Sequence, residues 1–469
     1  MSNESIFSSL KKSFYSRFPD CSIFDCEEYN LLKVVLDGLK VRYSSKGHIR
    51  TPLFWPLPAH KIWLNLQRRR NPIDPAQTGR LKSIDQKRFW AMDFGGRTMD
   101  GKSVFFERIR GLAGAGDMVL LSGKTGPGYF PADFSFEGLP GAMALLPFDE
   151  EDTRMRNALR TFEKKLAAAG LLNGTERKDI RIALQLFFDQ YRGWKKILEL
   201  AKPLHVVLIM HYHHEGLLLA LRRKGIKITE LQHGLIAPED IFYMMPKSVS
   251  AVSSRALFAD RILVYGQFWK DRLLQGGEYA EEQIRIIGYY HYEPVTDPAQ
   301  LPADIQDFTR NKKVWLVCTQ TYMDDEYCAH VMRISSLLAK SGAQACILVK
   351  PHPHEPLSKY ASLAQLENVK LVQASLGALF PVADAHLSIC STTHYDALRY
   401  GLRSFALDTE KYKDYLESVI ASGVAKLLGP EETPLDYPET GNPALHPAAY
   451  YYSPMESSPE KIVQLLEAV

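Results

Sequence analysis

The sequence predicts an α/β protein carrying two doubly wound parallel sheets, and three observations lead there. Short, nearly continuous apolar runs recur from residue 205 onward, as strands buried on both faces require. Helix-patterned stretches separate them, so neighbouring strands are joined by crossovers and run parallel. The chain has 469 residues with 46% hydrophobic and 24% charged side chains, which is ordinary globular usage and room for two or three cores.

The elements follow in order. Residues 151–171 and 178–200, rich in Leu, Ala, Lys, Arg and Glu at helical spacing, predict two long helices. HVVLIM (205–210), a helix to Arg223 closed by Gly225, and KITEL (227–231) form a βαβ unit. RILVYG (261–266) and IRIIGYY (284–290) extend that series. VWLVCTQ (314–320), ACILVK (345–350), VKLVQA (369–374), AHLSIC (385–390) and SFALD (404–408) make a second one. EPVTDPAQLP (293–302) reads as the hinge between domains. This divides the chain into 1–292, 293–457 and a final helix from Ser458, with Ser458 as N-cap and Pro459 in the first turn. Before residue 150 only DMVLLSG (117–123) reads as a strand, and 43–100 carries no clear period.

Charge and composition exclude several classes. The net charge of +3 gives no global field for nucleic acid. No apolar run reaches the ~20 residues of a membrane-spanning helix, and the N-terminal segment lacks a secretory signal pattern. Six cysteines without paired spacing fit a reducing cytoplasm. The charge is uneven, however: residues 51–124 hold 13 Lys+Arg against 6 Asp+Glu, interleaved with aromatics. That segment is either a solvated face or a contact for an anionic acceptor or an anionic membrane surface.

In open α/β sheets ligands bind beyond the carboxyl ends of the strands. Seven of the 14 histidines fall in those segments: His211, His213, His214, His233, His352, His354 and His394. Ser391-Thr392-Thr393, between a strand and a helix, offers donors to an anion beside a helix N-terminus. Thr393 and Asp396 also fit a capping box. Lys350-Pro351-His352-Pro353-His354 is a stiffened turn that could hold a phosphate. Thr319-Gln320 ends a neighbouring strand. Gln232-His233-Gly234 places an imidazole at a strand tip as a candidate base, with Glu230 as a second base or a buried, paired carboxylate. The HYHHE run at 211–215 matches no zinc spacing, so no metal is expected. Gly123-Lys124-Thr125 lacks the glycine a P-loop needs at Met118.

Together these segments resemble the GT-B glycosyltransferases of bacterial surface polysaccharides. KPHPHE, STTHYDAL, ITELQHGLIAPEDIFY, ADRILVYGQFWKDRLL and IRIIGYYHYE carry the resemblance, over about 200–410. Related patterns occur in CDP-glycerol polymerases and in transferases that use CMP-activated sialic acid or Kdo. The resemblance implies two Rossmann-type domains facing a central cleft, with the C-terminal helix crossing back to the first. It implies a nucleotide-activated sugar, CMP- or CDP-type favoured and UDP possible, with no cofactor and no metal. The donor would be held by Thr319, Gln320, Lys350, His352, Pro353, His354, Ser391, Thr392, Thr393 and Asp396. A saccharide or lipid-linked acceptor would lie near His211, His213, His214 and Gln232, with His233 or Glu230 as base. Asp396 stands where many such enzymes carry Glu, and QHG stands where sialyltransferases carry an acidic base motif. A sugar-nucleotide epimerase or glycerophosphotransferase is the alternative on the same architecture, and a non-catalytic polysaccharide-binding scaffold the second.

Overall fold

The computed structural model describes residues 17, 21–26, 29–44, 75–94, 98–114, 116–124, 132–238, 240, 242–244, 257–276, 279–292, 301–321, 323–353, 355–438 and 446–467. Most of the proposed hinge (293–300), His354, and residues 51–74, 95–97 and 115 of the basic segment lie outside them. The described chain forms two compact units. One holds the described residues up to 236, those of 240–292, and 454–467; the other holds 237–238 and 301–453.

The first unit is built on seven parallel strands: β1 (Phe89–Asp93), β2 (Met118–Ser122), β3 (Phe134–Ser135), β4 (His205–Leu208), β5 (Lys227–Leu231), β6 (Arg261–Val264) and β7 (Ile284–Ile286). Their order in the sheet is β7-β6-β5-β4-β1-β2-β3. The chain therefore lays down β1 to β3 in one direction, returns to the other side of β1, and continues with β4 to β7. The second unit repeats this with β8 (Lys313–Cys318), β9 (Ala345–Lys350), β10 (Val369–Leu371), β11 (Ala385–Ser388), β12 (Arg403–Ala406) and β13 (Lys426–Leu427), in the order β10-β9-β8-β11-β12-β13. All its pairings are parallel. Both units are thus doubly wound Rossmann-type sheets, the α/β class read from the sequence.

β1 is the strand the sequence hid. It lies at the middle of its sheet, between β4 and β2, and all five of its residues are buried. A short strand covered on both faces shows no alternation, and the stretch around it carries no period to frame it. The helix Pro75–Ser83 and the two-residue edge strand β3 escaped the sequence reading as well.

Four helices bear on the site and its surroundings. Helix α1 (Glu150–Ala168) starts at Asp149, whose side chain accepts from Asp152 N in a reciprocal capping box. Helix α2 (Gly174–Leu200) starts four residues before the expected 178, because Asn173 and Glu176 form the same reciprocal box. Helix α3 (Thr393–Arg399) follows β11. Helix α4 (Pro459–Glu467) returns to the first unit and buries Ile462 and Leu466 there. Its last turn is pinned from the sheet: Thr229 Oγ1 donates to Leu466 O at 3.1 Å, and Arg261 donates to Leu465 O at 3.0 Å. Arg88 pairs with Glu467 at 2.6 Å. The chain reaches this position past Gly288, at φ +87°, where a β-carbon would lie 2.6 Å from Met455 N.

Candidate functional site

The winding order fixes where each sheet opens a crevice: at the carboxyl ends of the two strands between which the order reverses. In the second unit those strands are β8 and β11. Gln320, just past β8, and the buried Tyr327 together satisfy the backbone past β11. Tyr327 Oη accepts from Ile389 N at 3.1 Å, and Gln320 Oε1 accepts from Cys390 N at 2.9 Å. Tyr327 Oη also lies 3.1 Å from Gln320 Oε1 and 3.0 Å from Ser388 Oγ. Beyond these two anchored residues, the N–H groups of Ser391 and Thr392 make no hydrogen bond among the described residues. Ser391 Oγ accepts from Thr393 N at 3.2 Å, which leaves its own proton to donate. Ser391 and Thr392 are half-buried.

The neighbouring turn is braced in a similar way. Thr319 Oγ1 accepts from His352 N at 3.0 Å and reaches Glu355 Oε2 at 3.4 Å. The buried Glu355 also receives Tyr360 Oη at 2.5 Å and Lys359 Nζ at 3.0 Å. Lys350 and His352 stand half-buried at the end of β9, and Pro353 is exposed.

Several residues proposed as donor contacts therefore take other roles. Thr319 and Gln320 have their oxygens engaged by the fold and position the two loops. The Thr393 hydroxyl is buried beside the Cys318 thiol, and Asp396 is 9% exposed. The capping box between Thr393 and Asp396 does not form. Thr392 already has helical dihedrals (φ −59°, ψ −19°), so the extended N-cap geometry is missing. Helix α3 has seven residues, too few for its dipole to dominate the turn. His394 is a core group: its Nδ1 meets Ser404 Oγ at 2.7 Å and burial pushes its pKa down to about 4. His386 shares the same hydroxyl at 2.7 Å.

In the first unit the order reverses between β1 and β4, and the histidine run begins just past β4. His211 and Glu230 are wholly buried and hydrogen-bonded through His211 Nδ1. Tyr243 Oη donates to Glu230 Oε1 at 2.6 Å and Tyr279 Oη approaches Oε2 at 3.4 Å. His211 Nε2 lies 3.2 Å from Phe242 O. Burial opposes the charge on both partners. It pushes the His211 pKa down, while the imidazole and the Tyr243 hydroxyl hold Glu230 below the usual carboxylate range. Glu230 is thus the buried, paired carboxylate of the two readings and not a base open to substrate; His211, equally buried, is no acceptor contact. Gln232 is likewise committed, accepting from Tyr265 N at 3.0 Å and donating to Gly234 O at 2.9 Å.

His233, by contrast, is half-buried, with Nε2 3.0 Å from Tyr212 Oη. A phenol can accept from Nε2–H or donate to Nε2, so this contact suits both the neutral and the protonated ring. Phe105 presents an edge to His233 and to His291, at centroid distances of 6.5 and 5.0 Å. His291 Nε2 lies 2.7 Å from Tyr265 Oη. His291 was passed over in the sequence although it follows strand β7, the same signal that singled out His233. His213 is exposed, at φ +65°. His214 stacks on Phe94, which follows β1, at 3.4 Å between centroids, and burial pushes its pKa down to about 3. Among the described residues no group of His, Cys, Asp and Glu is arranged to hold a metal ion.

No protein-family model matches the chain, and no curated protein matches its sequence. Among solved structures it is similar to S. aureus MnaA in a co-structure with UDP, at 12% identity over 81% of this chain and 95% of that one, with a TM-score of 0.49. It is similar to the Methanocaldococcus jannaschii UDP-GlcNAc 2-epimerase in complex with UDP-GlcNAc and UDP, at 14% identity over 81% and 100%, TM-score 0.46. The glycotransferase of kitacinnamycin matches at 12% identity over 81% and 94%, TM-score 0.44. Identities this low, at TM-scores below 0.5, say nothing about the reaction. The functional reading rests on the residues.

Proposed function

We propose that the protein is a metal-independent glycosyltransferase of surface-polysaccharide synthesis, moving a sugar from a nucleotide-activated donor to a saccharide or lipid-linked acceptor. One observation carries the reading. At the switch point of the second unit, the backbone past β11 is anchored by Tyr327 and Gln320 so that the next two N–H groups and the Ser391 and Thr392 hydroxyls remain to bind an anion, next to Lys350 and His352 on the adjoining turn. A diphosphate or phosphodiester meets both hydrogen-bond donors and positive charge there.

In the reaction an acceptor hydroxyl oxygen bonds to the anomeric carbon while the bond from that carbon to the phosphate oxygen breaks. The phosphate leaves with the electron pair, stabilised by Lys350, His352 and the Ser391–Thr392 donors. The hydroxyl proton passes to the His233 imidazole, whose Nε2 lies 3.0 Å from Tyr212 Oη.

The test is a thermal-shift panel of CMP, CDP, UDP and GDP on the whole chain, repeated with His352→Ala and Ser391→Ala. A nucleotide at 100 times its Kd stabilises by about 2.7 kcal/mol, so a shift names the donor class and both variants should lose it. No shift with any nucleotide favours the scaffold reading. A sugar-nucleotide epimerase uses the same donor site; release of free nucleotide only when a saccharide is supplied counts against it.

A further inference from the structure

The outward face of helix α1 is chemically one-sided. Met155, Leu159, Phe162 and Leu166 form its buried face. At ~100° per residue the opposite face carries Asn157, Arg160 and Lys164, with Arg154 and Lys165 at its margin. All five are exposed. Arg154, Arg160 and Lys164 make no ion pair or hydrogen bond among the described residues. The helix's acids are held on its other sides: Asp152 by Arg192 and Lys195, Glu151 by Arg223, Glu163 by Arg181. Glu150, seven residues before Asn157 and so on the same outward face, is its one exposed acid.

Apolar side chains stand next to these charges. Leu146 and Phe148, in the loop that leads into α1, are 36% and 43% exposed. Phe148 shares a hollow of about 750 Å³ with Asp149, Glu150, Thr153, Arg154 and Asn157, so the apolar edge meets the basic face across the first turn, where Asp149 is paired with Lys195 and Lys196. The Phe148 ring is fixed by the Arg192 guanidinium, 3.8 Å from its centroid, and by Arg156 at 4.6 Å. Leu171, 39% exposed, lies just past the other end of the helix.

We propose that this face is a docking surface for an anionic lipid bilayer, with α1 lying along the headgroups and Leu146 and Phe148 entering the acyl boundary. Charge complementarity chooses the occupant. Unpaired basic side chains spaced along a 19-residue helix match a sheet of phosphates. The exposed apolar edge gives a bilayer contact area that a nucleic-acid backbone does not use. The surface lies outside residues 51–124, and among the described residues no helix is long and apolar enough to cross a membrane. Binding is independent of the catalytic reading and stands or falls without it.

The experiment is co-sedimentation of the whole chain with vesicles of phosphatidylcholine alone, or mixed with phosphatidylglycerol. The wild type should bind the anionic vesicles and ignore the neutral ones, and binding should weaken as salt shortens the Debye length. The triple variant Arg154→Gln, Arg160→Gln, Lys164→Gln should bind about 100-fold more weakly, at about fivefold per charge, with its thermal unfolding unchanged. Leu146→Ser with Phe148→Ser should also bind more weakly at every salt concentration. Equal binding to both vesicle types, no binding to either, or a triple variant that binds as the wild type does would overturn the proposal.

Discussion

Replacing Tyr327 with Phe tests the anchor on which the donor-site geometry depends. The side chain is wholly buried and burial holds its phenol pKa well above the usual value, so the hydroxyl is protonated. It accepts from Ile389 N at 3.1 Å and has one proton to share between Gln320 Oε1 and Ser388 Oγ. Ser388 Oγ already donates to Cys318 O at 2.7 Å, so it keeps a partner when the phenol is lost. Ile389 N–H does not. An orphaned buried amide costs about 1–3 kcal/mol and the lost donor bond about 1 more, while the ring keeps its packing. We expect the unfolding transition of the 301–453 unit to lose about 2–4 kcal/mol in urea at unchanged m-value. Because Ile389 and Cys390 set the approach to Ser391, nucleotide affinity should fall as well, by an order of magnitude or so. A loss below about 0.5 kcal/mol, within the range of neutral surface changes, would show that the hydroxyl does not hold this backbone. An unchanged affinity in a destabilised variant would detach the anchor from the site.

Three further predictions address other parts of the chain. His233→Gln should cut turnover by about 10²- to 10⁴-fold while nucleotide shifts in a thermal assay stay as in the wild type; near-normal turnover would remove His233 as the base. Gly193→Ala should destabilise the first unit by about 3 kcal/mol or more, because the new β-carbon would overlap the Pro140 carbonyl oxygen against which α2 packs, and thermal melting reads the loss. Stability should also fall on acidification. The folded pKa of His394 is pushed to about 4 and that of His386 well below its ordinary value. Their contribution is therefore complete above the unfolded value near 6.5 and fades as pH drops from there toward the folded values. His394 alone accounts for about 2 kcal/mol between pH 7 and pH 5, so a flat urea profile across that range would contradict its burial as the neutral ring.

The candidate site was legible where chemistry follows a strand directly. The rule that ligands gather past strand ends placed Ser391, Thr392, Lys350, His352 and His233 at the crevice edges, and those remain half-buried. It also gathered residues that the fold uses for itself. Thr319, Gln320, Gln232 and Glu230 have the same polar chemistry, and only their partners separate them: a backbone N–H or a buried ring engages each one. Those partners lie from 19 to 70 residues away in the chain, beyond the reach of any local pattern.

Strand identity followed from the sequence itself wherever an apolar run was bounded by polar or helical residues. KITEL and ACILVK coincide with β5 and β9 residue for residue. Hydrophobic burial writes that signal locally, and so does the capped start of helix α4 at Ser458, whose Oγ lies 3.4 Å from Lys461 N. The strand order, and with it the two reversals that open the crevices, was decided only in the tertiary structure. Pairing is a contact between segments far apart in sequence, and an apolar strand such as β1 fits between any two neighbours equally well until the whole sheet assembles. The destination of α4 was settled in the same way. Its apolar face needed a partner, and Thr229, Arg261 and Arg88 supplied the polar contacts that select the first unit.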